Sequence, residues 1–224
     1  MPKPTFQNLP AAKRDRIVAC AIEEFAGRSF QEASLSRIVA RAGIAKGSIY
    51  QYFENKLDLY RWLITDELVR RKLEFFDAWA PPPEEDFFAQ IRSMIRAGIA
   101  FFLAEPRLSR IAAALVDGSS DPGLRELHAE VRSLGTAMFV GLLRGARDRG
   151  EIRTDLDLEV LARLVSVVLG VGLADVTLSH LGVDMGRFLA EPELARRLSD
   201  RQIEGLIEQV IAFVRGGLVG VADV

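Results

Sequence analysis

Apolar residues recur along this chain at spacings of three and four, the period of a helix buried along one face. Ile17, Val18, Ala21, Ile22 and Phe25 form the first such stripe, which predicts an amphipathic helix over about 10–26, ended by Gly27. Ser34 precedes a second stripe, Leu35, Ile38, Val39 and Ala42, and is expected to cap its helix. Gly43 should stop that helix, because glycine accepts left-handed backbone at little cost. A third short helix is predicted over about 45–53, and Leu57, Tyr60, Leu63, Ile64 and Leu68 set a longer fourth reaching about Phe76. Pro81, Pro82 and Pro83 cannot continue it, having no amide protons to donate.

Beyond the prolines, amphipathic segments fall at about 84–104, 106–117, 122–149, 157–181 and 200–217. Asp121-Pro122 supplies a cap and a first-turn proline for the third of these. Residues 182–200 fit no element, and no alternating strand pattern of useful length occurs. The pattern therefore predicts an all-α chain. A three-helix module should occupy residues 1–57 and a helical bundle residues 58–224.

Charge separates the same two parts. Residues 1–56 hold nine basic and five acidic side chains, a surplus of four, and the remainder carries an excess of six acids. A basic head on an acidic body is the footprint of a module for a polyanion, joined to something else. The single cysteine, Cys20, excludes a disulfide within the chain and fits a reducing cytoplasm. With two histidines and one thiol, no zinc cluster is expected, nor any other metal or cofactor. The most apolar run, residues 164–174, is shorter than the roughly 20 residues of a membrane span, so a buried helix and no membrane partner are expected.

Three short helices with a glycine turn between the second and third describe a helix-turn-helix DNA-binding module. In "RAGIAKGSIYQYFENK", Ile44, Ile49 and Phe53 would anchor the third helix. Lys46, Gly47, Ser48, Gln51 and Tyr52 would then face the duplex, with Gly47 allowing close approach. Gln51 suits adenine and Lys46 suits guanine or phosphate. Tyr50, Tyr52 and Lys56 suit phosphate contacts, which fix register without reading bases. Ser34 and Ser36, with Arg37 beside them, would offer hydroxyls, amide protons and charge to a phosphate at the start of helix 2.

The stretch "SLSRIVARAGIAKGSIYQYFENKLDLY" resembles the DNA-binding segment of the TetR family of bacterial one-component regulators. Gly43, Lys46, Gly47, Ser48, Tyr50, Tyr52, Phe53, Lys56 and Leu59 match the family's run, and residues 10–60 match well. Ala45 departs from it, since a serine is usual there. The resemblance implies a homodimeric repressor on a near-palindromic operator, released by a small effector held in residues from about 58 onward. An activator, or a regulator answering to a protein partner, is the alternative. A helical-bundle enzyme is the more distant one, for no nucleophile has a neighbouring base and no phosphate loop is present.

Two further features bear on the body. The segment near 158–178 is apolar on nearly all sides and the one near 200–217 carries a strong stripe, so both are expected to pair with a second copy in a four-helix interface. Aromatic and sulfur side chains gather earlier: Trp62, Phe76, Trp79, Phe88, Phe101, Phe102 and Phe139, with Met94 and Met138. These either line an apolar cavity for a flat or greasy effector, with Asp175 as a polar group inside it, or simply fill core.

Overall fold

The computed structural model describes residues 2–78, 86–115 and 121–219. Every regular element among them is helical. They are α1 (Pro4–Gln7), α2 (Ala11–Gly27), α3 (Leu35–Ala42), α4 (Ile49–Tyr52), α5 (Lys56–Trp62), α6 (Leu68–Ala78) and α7 (Phe87–Ala104). There follow α8 (Pro106–Ala114), α9 (Pro122–Asp148), α10 (Leu158–Val167), α11 (Leu173–Leu181), α12 (Met185–Ala190) and α13 (Asp200–Leu218). The predicted prolyl break at residues 81–83 and Trp79 lie outside the described residues.

Two compact units emerge, one from Met1–Arg71 with Arg107–Ala129, the other from Lys72–Pro106 with Glu130–Val224. The first thus takes in more than the three-helix module. Arg110 Nε donates to the Ala26 carbonyl at 2.8 Å, holding α8 against the end of α2. Gly123 lets α9 approach α5 closely, since a Cβ there would stand 2.4 Å from Leu57 Cδ2. The predicted fourth helix is present as α5 and α6, joined by a wider π turn at Leu63–Glu67. There the Thr65 hydroxyl donates to the Arg61 carbonyl at 3.0 Å, a back-bond of the kind that bends helices.

In the second unit Ile91, Ile95 and Ile99 of α7 are fully buried, in one cluster with Leu206, Ile207, Ile211 and Val214 of α13. Arg92 reaches Glu208 at 2.6 Å and Arg96 pairs with Glu204, so ion pairs flank that seam. Residues 182–200, unplaced from sequence, form α12 and a 3-10 turn at Pro192–Arg197. Phe188 stacks on Phe102 with centroids 5.2 Å apart, and Leu194 completes a small second cluster.

The expected single helix over 157–181 is broken. Val168–Gly172 forms a π turn in which Gly170 leaves helical backbone (φ −96°, ψ −106°). Gly172 serves the turn itself, because a Cβ there would lie 3.1 Å from the Val167 carbonyl oxygen. By length and composition both Phe87–Ala104 and Leu158–Leu181 are long and apolar enough to cross a membrane, a test that the core helices of a folded bundle also pass. The first lies in the core. The second leaves Val160, Leu164, Val167 and Val176 exposed.

Candidate nucleic-acid interface

Helix α3 and the element after it meet at the predicted turn. Gly43 takes left-handed backbone (φ 65°), and its N–H and that of Ile44 close on the carbonyls of Ala40 and Val39. Lys46–Ser48 then winds as one 3-10 turn into α4. Ala45 sits at the cap position with no side chain to accept from the turn, and Ser48 N–H closes on its carbonyl at 2.9 Å. The inward face is Ile49 and Phe53, each 1 % exposed. Lys46, Gly47, Tyr50 and Gln51 are exposed, as is Ser36 on α3, and Ser48 is half-buried. Nothing lies within 4 Å of where a Gly47 Cβ would be, so that backbone is open to close approach. One surface therefore carries an ammonium, an amide, a phenol, a hydroxyl and bare backbone. This is donor and acceptor chemistry suited to base edges and phosphates.

Four of the expected contact residues are differently employed. Tyr52 is buried, its ring 5.8 Å from that of Phe6 and beneath the Lys13 ammonium at 6.0 Å. It shares the inward stripe of Ile49 and Phe53, three and four residues apart, so the helical period itself turns it from solvent. Lys56 Nζ donates to the carbonyls of Phe30, Gln31 and Ala33 at 2.5, 3.1 and 2.9 Å and lies 4.5 Å from the Phe30 ring centroid. Desolvation holds its pKa below the ordinary lysine value. It ties down the loop between α2 and α3. Lys56→Met should therefore lower stability to thermal unfolding by about 1.5–3 kcal/mol, the range for hydrogen bonds to a charged group. In a salt titration of DNA affinity it should leave the slope unchanged.

Arg37 and Ser34 are held by Glu24, a carboxylate with no exposed surface. Its Oε1 accepts from Arg37 Nε at 2.8 Å and from the Ser34 N–H at 2.9 Å, and Arg28 stands 3.6 Å from Oε2. Ser34 does occupy the cap position of α3, but its hydroxyl makes no cap bond, and its own N–H donates to the Glu24 carboxylate. Glu24 follows Ile17 and Ala21 by seven and three residues on the inward face of α2, which was a readable signal for a buried ion pair.

The aromatic residues of the body divide as well. Trp62 belongs to the head core, 5.1 Å from Phe6 and 5.6 Å from Phe53. Phe88 and Phe139 are buried in the α7–α13 core, Phe102 in the smaller cluster, and Met94 packs on the main one. Phe101 is buried edge-on to Phe75 at 5.6 Å, and Phe76 is half-buried. Met138 and Asp175 are exposed, so neither is part of a core in this chain.

This head is that of a helix-turn-helix DNA-binding regulator. The profile described as bacterial regulatory proteins, tetR family, matches residues 17–62. A TetR family transcriptional regulator of Chloroflexus aurantiacus J-10-FL, solved by crystallography, is 32% identical, with a TM-score of 0.76, covering 99% of this chain and 100% of that one. The HTH-type transcriptional repressor BepR of Brucella suis is 27% identical over 78% of this chain and 85% of its own length. The probable acrEF/envCD operon repressor of Escherichia coli K12 is 24% identical over 88% and 91%. The chain belongs to the TetR family and is a DNA-binding transcriptional regulator rather than an enzyme; the two curated relatives just named are repressors. Members of the family bind DNA and typically work as dimers with small-molecule effectors.

Proposed function

We propose that two copies of this chain hold a near-palindromic operator, with the exposed face of 46–51 in successive major grooves and residues 1–57 as the DNA-binding module. The grooves are about 34–36 Å apart on one face of the duplex. Lys46 and Gln51 read bases, Gly47 brings the backbone near, and Ser36, Ser48 and Tyr50 contact phosphate or sugar. The observation that carries this is the clean division of residues 46–53 into a buried face, Ile49, Tyr52 and Phe53, and an exposed polar one. Selection of duplexes from a random pool, repeated with variants, tests it. Gln51→Ala and Lys46→Ala should each relax preference at one base position per half-site, at about 1–3 kcal/mol of discrimination. Ser36→Ala should weaken binding evenly on all sequences. If the base-reader variants also lose affinity evenly, the assignment is wrong.

Repression would be relieved by a small, largely apolar effector in the second unit, among Phe76, Phe88, Met94, Phe101, Phe102 and Phe139. Trp62, Met138 and Asp175 leave that set on their positions in the fold. An effector acts only through differential affinity. A hundredfold release from DNA needs about 2.7 kcal/mol tighter binding to the arrangement that spreads the two recognition helices.

A further inference from the structure

Helix α4 has four residues, so only its first carbonyl can find a partner one helical turn on, and the other three need partners from elsewhere. All four are nevertheless satisfied. Phe53 N–H donates to the Ile49 carbonyl at 2.8 Å, and Lys3 N–H to that of Tyr52 at 2.8 Å. The Lys3 ammonium donates to the Tyr50 carbonyl at 2.9 Å, and the Thr5 hydroxyl to that of Gln51. Phe6 follows, 1 % exposed, with its ring 5.8, 4.8 and 5.1 Å from those of Tyr52, Phe53 and Trp62. Three of the four carbonyls thus depend on a segment about 45 residues away in sequence, outside the 17–62 match to the family profile.

We infer that Lys3, Thr5 and Phe6 are positioning residues that splint the recognition helix, fixing the backbone on which Tyr50 and Gln51 are carried. Phe6 anchors the splint in the head core. Lys3 and Thr5 then bond the backbone of the two residues that face outward. Their effect on sequence preference rests on the DNA-reading assignment above, whereas their effect on the helix does not.

The test is the pair of substitutions Lys3→Met with Thr5→Val in the full chain, the first at a half-buried and the second at an exposed position. Both positions lie at the surface side of the segment and Phe6 is kept, so the head should fold. Amide exchange of residues 49–53 in the DNA-free protein should quicken about tenfold, while the second unit is unchanged. Affinity for a duplex selected by the native protein should fall about tenfold, with random duplex within about twofold and the salt slope kept. Thr5→Ser alone should behave as native. Unchanged exchange in 49–53 overturns the splint whatever the DNA result. An equal loss on both duplexes with a shallower salt slope overturns it in favour of Lys3 as a phosphate contact. If the native protein selects no duplex, the DNA-reading assignment fails and the exchange measurement still decides the splint.

Discussion

Leu164→Asp with Val167→Asp should turn the protein into a folded monomer that has lost its hold on a two-half-site duplex. Both side chains are exposed on α10, at 60 % and 57 %, and Val160 continues the same face one turn earlier. On α13, Phe213 is 70 % exposed. Burying one such side chain stabilises by roughly 1.5–3 kcal/mol. In a two-fold interface each substitution occurs twice, so the pair removes several such contributions and adds like charges across the axis. The single chain loses nothing, because these atoms already face solvent, and helix content by circular dichroism should not change. Sedimentation should report one subunit at micromolar concentration. Operator affinity should drop by roughly 10²–10⁴-fold, the part that tethering two half-site readers supplies. A second apolar face competes for the role, Leu134 and Met138 of α9, 63 % and 50 % exposed. If Leu134→Asp dissociates the protein and the α10 pair does not, the interface lies there instead.

The periodicity of apolar residues carried most of the helix layout, since each helix buries one face and that face repeats in sequence. The turn at Gly43 was legible for the same local reason: left-handed backbone after a helix asks for glycine. What escaped was tertiary. Lys56 looks like a phosphate contact on a helix map, but its three carbonyl partners lie some 25 residues earlier. The π turn at 168–172 has its departure from helical backbone at Gly170 and a close approach at Gly172, and apolar composition cannot distinguish a broken helix from a straight one. The segment 182–200 holds short turns whose partners, such as Phe102 for Phe188, come from another helix.

Polar contacts in the candidate site divided along the same line. Lys46, Gly47, Gln51 and Ser36 were placed correctly on the surface, because the anchors beside them are apolar and periodic. Tyr52 was also within reach of the pattern: Ile49, Tyr52 and Phe53 stand at i, i+3 and i+4, and its phenol alone suggested the outside. The contribution of Lys3 and Thr5 had no local sign, as nothing in "KPTF" marks which carbonyls it will meet.

Glu24→Ala should be the most damaging change at a charged position of the head, costing about 1.5–3 kcal/mol by thermal or denaturant unfolding, the range for hydrogen bonds to a charged group. It would leave the Ser34 N–H without its acceptor and release Arg37 and Arg28. The guanidiniums can rehydrate, Arg37 being 44 % exposed, which keeps the loss below that of a fully enclosed pair. Glu24→Gln, which keeps the shape and an acceptor for Ser34, should cost about half as much. Acid separates charge from shape. Burial by itself raises the Glu24 pKa, but the bonds from Arg37 and Ser34 and the charges of Arg37 and Arg28 outweigh it, so the carboxyl sits below its ordinary value of 4.5. A folded-state pKa lower than the unfolded one means the native state binds fewer protons. Its stabilisation is therefore complete above pH 4.5 and disappears as pH falls through the depressed value. Glu32, Glu67, Glu151, Asp155 and Glu208 are lowered too, so the native protein's own acid profile mixes all of them. The difference between native and Glu24→Gln isolates one: constant in neutral solution, and narrowing only below pH 4.5. A difference that instead grew on acidification would mean the buried carboxylate destabilises the head, and that Arg37 is available to DNA after all.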